Sequence, residues 1–291
     1  MINLQRTLPV QSGRVGIPPV DFDRSFEIDR RFPKWARRSN PIVRRHLGGF
    51  WKALLPETRT VTRLLLFQAL FVLISLAAPW LLEATAIVGL ISFFVLPLLL
   101  VVYGRALLAI GNLAVAAITD ERQHHTLDLL RTTPFSLRFI LLSKIAASVW
   151  RQANPLGTII LASATISLPP IILEHIAAWP LDRHELIARL LIILGLVASV
   201  GRLLVEPLMI GALGILAGST WRSQAPPATW TALLGLSYFT LINLPRLLPL
   251  EWPLRLLVET VLPLALPVVI SWGALWLADY TLRHHWGTEP E

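Results

Sequence analysis

Apolar residues in this chain come in long blocks and do not alternate with polar ones. Leu64 to Leu82 and Ala84 to Tyr103 are the first two blocks. A helix needs about 20 apolar residues to cross a ~30 Å hydrocarbon core. Strands of a membrane barrel would alternate apolar and polar side chains. The pattern therefore predicts an all-α, polytopic membrane protein with six transmembrane helices, near 64–80, 84–105, 154–173, 187–217, 228–244 and 256–278. Two stretches complicate it. Apolar and small residues follow the second block as far as Ile118, and one helix from Ala84 would then be ~50 Å long. It must tilt, break near Gly111-Asn112, or extend into the cytosol. The run from Pro245 to Pro253 is too proline-rich to span and too apolar for a plain loop. Short outer-face or re-entrant helices fit it.

The chain ahead of the first block is polar and lacks the apolar core of a signal peptide. Gly13, Gly16, Pro18 and Pro19 predict a flexible basic tail over 1–40. Over 41–60, Val43, Leu47, Phe50, Trp51, Leu54 and Leu55 recur at helical spacing, with Arg44, Arg45 and Lys52 off that stripe. Such a helix suits the lipid headgroup layer; the alternative is a solvated tail that never docks. A transmembrane domain over 61–283 and a short tail over 284–291 complete the layout.

Composition sharpens the reading. The chain is 54% hydrophobic and 15% charged, against about 25% charged in soluble proteins. With both termini inside, twenty lysines and arginines fall on inner segments and four, Arg183, Arg189, Arg246 and Arg255, on outer loops. This is the positive-inside asymmetry. It predicts a multi-pass protein of the cell's inner (plasma) membrane, embedded in the lipid bilayer with both termini cytoplasmic. Tryptophans such as Trp51, Trp80, Trp150 and Trp230 mark span borders. The net charge of +8 is thus an orientation signal, and no nucleic-acid partner is expected.

The chemistry is sparse. The chain has no cysteine, which excludes disulfides and thiolate metal sites. It has no Gly-x-x-x-x-Gly-Lys-Ser/Thr loop, so it does not bind ATP through one. His184-Glu185 opens like a zinc-protease motif, but Ala188 stands where the second histidine would be. The seven histidines lie at span edges or outside, unsuited to haem ligation within a bundle. No catalytic, metal or cofactor-binding residue is identified. One ionisable pair lies inside a span: Arg202 and Glu206, four apart and so on one helix face. It is either a substrate-pathway or gating element, or a neutralised pair that fixes packing.

The richest local signal is the connector from Ile118 to Lys144. Leu127 and Leu130 with a polar opposite face predict a short amphipathic helix from Asp120 to Thr133, opened by Asp120 and Glu121 and closed by Pro134. The run resembles the cytoplasmic connector of ABC transporter permeases of the type-two exporter family (the type V exporter fold). The positions that carry the resemblance are Glu121-Arg122, Thr126-Leu127-Asp128-Leu129-Leu130, Thr133-Pro134, Ser136 and Lys144. His125 stands where the family usually has glycine. Asn40 to Arg45 is similar to the family's elbow helix. Ala212-Leu213-Gly214, with Ser219 and Arg222 after it, resembles the turn between the fourth and fifth spans.

The resemblance implies an ABC exporter permease without enzymatic activity of its own. Its partners would be a separate ATP-binding cassette subunit and a second permease copy or homologue. Glu121, Arg122, Thr126, Leu127, Leu130, Thr133 and Pro134 would form the coupling helix that docks the ATPase. That helix could instead rest on the membrane or on the second span. A membrane anchor or assembly subunit with the same fold but no transport activity is the alternative function. A secondary transporter fits less well, because no inverted repeat is evident.

The charge asymmetry generates a test. Cysteines introduced at Ser12 and within the 174–186 loop should differ in intact cells. An impermeant thiol reagent should label the loop and leave Ser12→Cys unlabelled until the membrane is opened; external labelling of Ser12→Cys would overturn the topology.

Overall fold

A computed structural model describes residues 29–48, 58–124, 126, 132–178, 185–221, 225–248, 250 and 252–284. Those residues are helical and contain no strand. A 3-10 turn at Lys34–Ala36 precedes α1 (Pro41–Leu47), α2 (Thr58–Ile74) and α3 (Trp80–Gln123). Next come α4 (Leu137–Arg151), α5 (Ala153–Ile166), α6 (Leu168–Ala178), α7 (Glu185–Thr220) and α8 (Ala225–Asn243). After a 3-10 turn at Leu244–Leu247, the chain forms α9 (Trp252–Leu256), a π turn (Leu257–Val261) and α10 (Leu262–His284). Among the described residues three helical stretches are long and apolar enough to cross a bilayer, Phe94–Gln123, Glu185–Thr220 and Pro253–His284, and a fourth if α5 and α6 count as one bent span. The protein is thus all-helical, with the long apolar helices of a membrane protein.

The extension of the second block is resolved as one unbroken helix. α3 runs 44 residues, about 66 Å at 1.5 Å per residue. It continues past Gly111 because that glycine sits against α7 and α8 rather than at a bend: a Cβ there would lie 2.9 Å from Thr231 and 3.2 Å from Ile210. Asp120 and Glu121 therefore end α3, with His124 as C-cap, and do not open a separate coupling helix. Ala212–Gly214 likewise lies inside α7 and forms no turn. Arg189, read as an outer-loop charge, is buried in the second turn of α7.

The helix breaks between α5 and α6, and proline explains where. Pro169 and Pro170 supply no N–H for the carbonyls of Thr165 and Ile166. Side chains from two other helices take over. Gln68 on α2 donates to Ala164 O at 2.7 Å and Thr165 O at 3.3 Å, and Ser92 on α3 donates to Ile166 O at 3.3 Å. The chain bends by 50° between α5 and α6.

The amphipathic stripe near the N-terminus does find a protein partner. Asn40 caps α1 by accepting from Ile42 N at 3.0 Å, and its Nδ2 donates to Ser143 Oγ on α4 at 2.9 Å. Val43 and Leu47 are fully buried against Ala146, Ala147, Trp150 and Ala153. Trp150 donates to Ala36 O at 2.8 Å, Phe32 stacks edge-on against it, and Arg38 lies over its ring. Residues 29–40, expected as flexible tail, are part of this packing. Phe50, Trp51, Leu54 and Leu55 lie outside the described residues.

The centre of the fold is the seam between α3 and α7. A Cβ on Gly214 would stand 2.7 Å from Gly111 O and 2.9 Å from Ala114 Cβ; one on Gly218 would stand 3.0 Å from Val115 O. Small residues let two backbones approach this closely. Gly214→Val should therefore force the helices apart, an overpacking cost of about 1–3 kcal/mol or more. Detergent-solubilised variant should show a lower thermal midpoint and folded yield, whereas Gly104→Ala, which meets nothing within 4 Å, should match wild type.

Candidate functional site

Two polar clusters are built on the α3–α7 seam, one within the apolar body and one at the end where α3 and α7 terminate. The inner one centres on Glu206, which is fully buried. Arg202 Nε donates to its Oε1 at 2.5 Å, Tyr238 OH donates to the same oxygen at 2.9 Å, and Tyr103 OH donates to Oε2 at 2.7 Å. The i,i+4 pair read from sequence is therefore present. It is also larger than its sequence signal: α3 and α8 each deliver a buried tyrosine to the same carboxylate. Charge-assisted hydrogen bonds are stronger than neutral ones, so three helices are tied at one point. The Arg202 guanidinium also lies 5.6 Å over the Phe239 ring.

The two partners differ in access. Glu206 is enclosed, while Arg202 lines a cavity of about 150 Å³ between α3, α5, α6, α7 and the start of α10. Ser163, Ser199, Glu174 and Glu259 share that lining, with Leu99, Ile159 and Leu203 as apolar wall. Glu259 lies in the π turn and accepts from Arg255 Nε at 2.5 Å; Arg255 also lies 4.0 Å from Glu174. A molecule in this cavity would meet the guanidinium, not the carboxylate behind it.

The second cluster sits where the connector begins. Lys144 on α4 is fully buried. Its Nζ donates to Ala117 O at 2.6 Å and forms a salt bridge with Glu121 at the end of α3. Burial pulls the Lys144 pKa below the ordinary lysine value, and Glu121 opposes that shift. His46 of α1 stands 3.7 Å from the same carboxylate. Its pKa is lowered to about 4, first by burial, then by Lys144, Arg45 and Arg151, so it is neutral near pH 7. These groups line an open cleft of about 480 Å³ together with Asp120, His124 and Thr126.

Of the expected docking residues, Glu121 and Thr126 line this cleft. Glu121 is tied to Lys144. Arg122 Nη1 donates to Ser219 O at 2.8 Å and Trp221 O at 3.1 Å, capping the end of α7. Thr126 folds back, its backbone N–H donating to Glu121 O at 3.0 Å. Thr133 and Pro134 lie in the turn before α4, whose N-cap Ser136 accepts from Phe139 N at 3.3 Å. Leu127 and Leu130 lie outside the described residues. Glu121 and Arg122 are thus structural ties rather than residues at the rim of a helix. Lys144, His46, Tyr103 and Tyr238 were not identified as site residues from sequence. Only Lys144 carried a signal, its place in the connector run.

Comparison with family models, curated proteins and solved structures finds no match.

The inner cluster gives a test that separates packing from function. Removing one buried charge and leaving the other costs about 3–5 kcal/mol. Glu206→Gln should therefore lower folded yield more than the Arg202→Met, Glu206→Gln double change. Tyr103→Phe should be milder, on the order of 1.5–3 kcal/mol for one hydrogen bond to a charged group. Thermal melts in detergent report all three; a double variant worse than Glu206→Gln would show that the two charges are not coupled.

Proposed function

We propose that this chain is the membrane-spanning permease subunit of an ATP-driven ABC exporter, working with a separate ATP-binding subunit and a second permease copy or homologue. In this reading α2, α3, α5–α6, α7, α8 and α10 are the six spans, α1 is the elbow helix, and the segment between α3 and α4 docks the ATPase. The observation that carries it is the connector. Residues 118–144 hold the run that resembles the family, and two of its positions, Glu121 and Lys144, form a buried ion pair across the segment's two ends.

The mechanical argument is simple. The connector leaves the end of a 44-residue helix and returns into α4, which is buried on nine of its fifteen residues. A load on the connector acts on α3 and α4 together, and through Arg122 on the end of α7. α3 then carries that displacement to Tyr103, Glu206 and the cavity that Arg202 lines. A closing pair of ATP-binding subunits would move the cavity walls without any nucleotide chemistry in this chain.

Leu127→Asp tests the reading. A docking segment presents its apolar face to a groove on the partner, and burying one leucine there contributes about 1.5–3 kcal/mol. The variant should reach the membrane at normal level and lose a co-purifying ATP-binding subunit in mild detergent. Stoichiometric retention of the ATPase by the variant would overturn the docking role. A wild-type chain that captures no ATPase would favour the anchor-subunit reading.

A further inference from the structure

α4 and α10 meet around a buried carboxylate at the far end of α10. Asp279 is 5% exposed. Its Oδ2 accepts from Arg138 Nε at 3.2 Å and its Oδ1 from Arg283 Nε at 3.0 Å. Each guanidinium spends its Nε on the carboxylate, and the two arginine side chains are 56% and 57% exposed. Their Nη groups are the ones left to face outward. Two guanidiniums on one carboxylate leave a surplus of one positive charge.

A groove of about 310 Å³ opens beside this triad, lined by Arg138, Leu142, Val205, Val268, Trp272 and Trp276. Among the described residues Arg138 is its only charged wall. Ser271, within the groove, donates its hydroxyl to Pro267 O at 2.6 Å, so it offers little polarity. Along α10, Trp276, Tyr280 and His284 stack in a column, with centroids 6.0 Å and 4.2 Å apart. Such amphipathic rings mark the membrane–water boundary. The groove runs along α10 from Trp276 of that column to Val268, with Arg138 in its wall and Arg283 joined to Arg138 through Asp279. Trp272 and Val269, beside it, are 69% and 62% exposed.

We propose that this groove binds one anionic phospholipid, with its phosphate on Arg138 and Arg283 and an acyl chain along the wall formed by α4, α7 and α10. Guanidinium matches phosphate geometry, frequently in bidentate fashion. The surplus charge selects a headgroup that is net negative over a zwitterionic one, whose own cation would approach the same arginines. The apolar lining takes the chain and excludes a soluble phosphate as sufficient ligand. The inference rests on the helices crossing a bilayer and is independent of any ATP-binding partner.

Native mass spectrometry of the delipidated full chain in detergent tests it, titrating phosphatidylglycerol against phosphatidylcholine of the same acyl chains. Wild type should retain one phosphatidylglycerol about five- to tenfold more tightly, as expected for one surplus charge near the headgroup. Arg138→Gln leaves the Arg283–Asp279 pair intact, so the fold is kept, and should erase the preference. Ser271→Phe fills the groove and should weaken both lipids while the arginines remain. Equal retention of the two lipids by wild type, unchanged preference in Arg138→Gln, or unchanged lipid binding in Ser271→Phe would each overturn the proposal. So would competition by glycerol 1-phosphate at the concentration of the intact lipid, or a dimer that seals this face against lipid.

Discussion

The approach of α3 to α7 is the constraint on which the rest of the protein depends. Without side chains at Gly111, Gly214 and Gly218, the two longest helices come within van der Waals contact of each other's backbone. In an apolar solvent there is no hydrophobic drive to bring helices together, so close packing and polar ties must do it. The seam supplies both in register. Tyr103 of α3 reaches Glu206 of α7; Gly111 and Ala114 face Gly214; Val115 and Ile118 face Gly218; and Arg122 closes over the last carbonyls of α7. A shift of one helix along the other would break the two polar ties while driving Cβ atoms into backbone. Polar residues fix the register that the small residues permit.

How much of this was legible in the sequence follows from the range of each interaction. Long apolar blocks declare helices because the signal is contained in the block. The Arg202–Glu206 pair was visible because i,i+4 neighbours share a face. Tyr103 and Tyr238 were not, since they lie 103 and 32 positions from Glu206 and tyrosine in an apolar run carries no mark of its partner. The break after Ile166 was encoded in Pro169-Pro170, but adjacent prolines near a span's end also suit a simple border. What distinguishes the two is Gln68 and Ser92, on other helices.

α4 shows the opposite failure. Its sequence has two arginines, a lysine and two serines among apolar residues, which adds to the basic bias of the connector. Folded, nine of its fifteen residues are buried, Lys144 and both serines among them. α1 and the residues before it cover one side, the end of α3 another and α7 a third. The same event explains the N-terminal stripe: Val43 and Leu47 have the spacing of a lipid-facing helix, yet α4 is the apolar surface they meet. Amphipathicity gives the existence of a partner surface; it does not say whether that surface is lipid or protein.

Buried carboxylates in this protein change their company with depth. Glu206 has one arginine and two tyrosines, and Glu259 has one arginine. Glu206 is balanced one to one by Arg202, as a medium of low dielectric demands, where an unpaired charge costs far more than it does near water, while Arg255 serves both Glu259 and Glu174. Towards the helix ends the balance tips. Glu121 faces Lys144 in a cleft that Arg45 and Arg151 also line, and Asp279 holds two arginines at once. Solvent or headgroups can screen a surplus there. The excess is positive in the α1–α3–α4 cleft and at the α4–α10 junction. The basic surplus of the chain is therefore not spread over loops alone. Part of it is built into the fold, on carboxylates that hold each arginine or lysine at a fixed place.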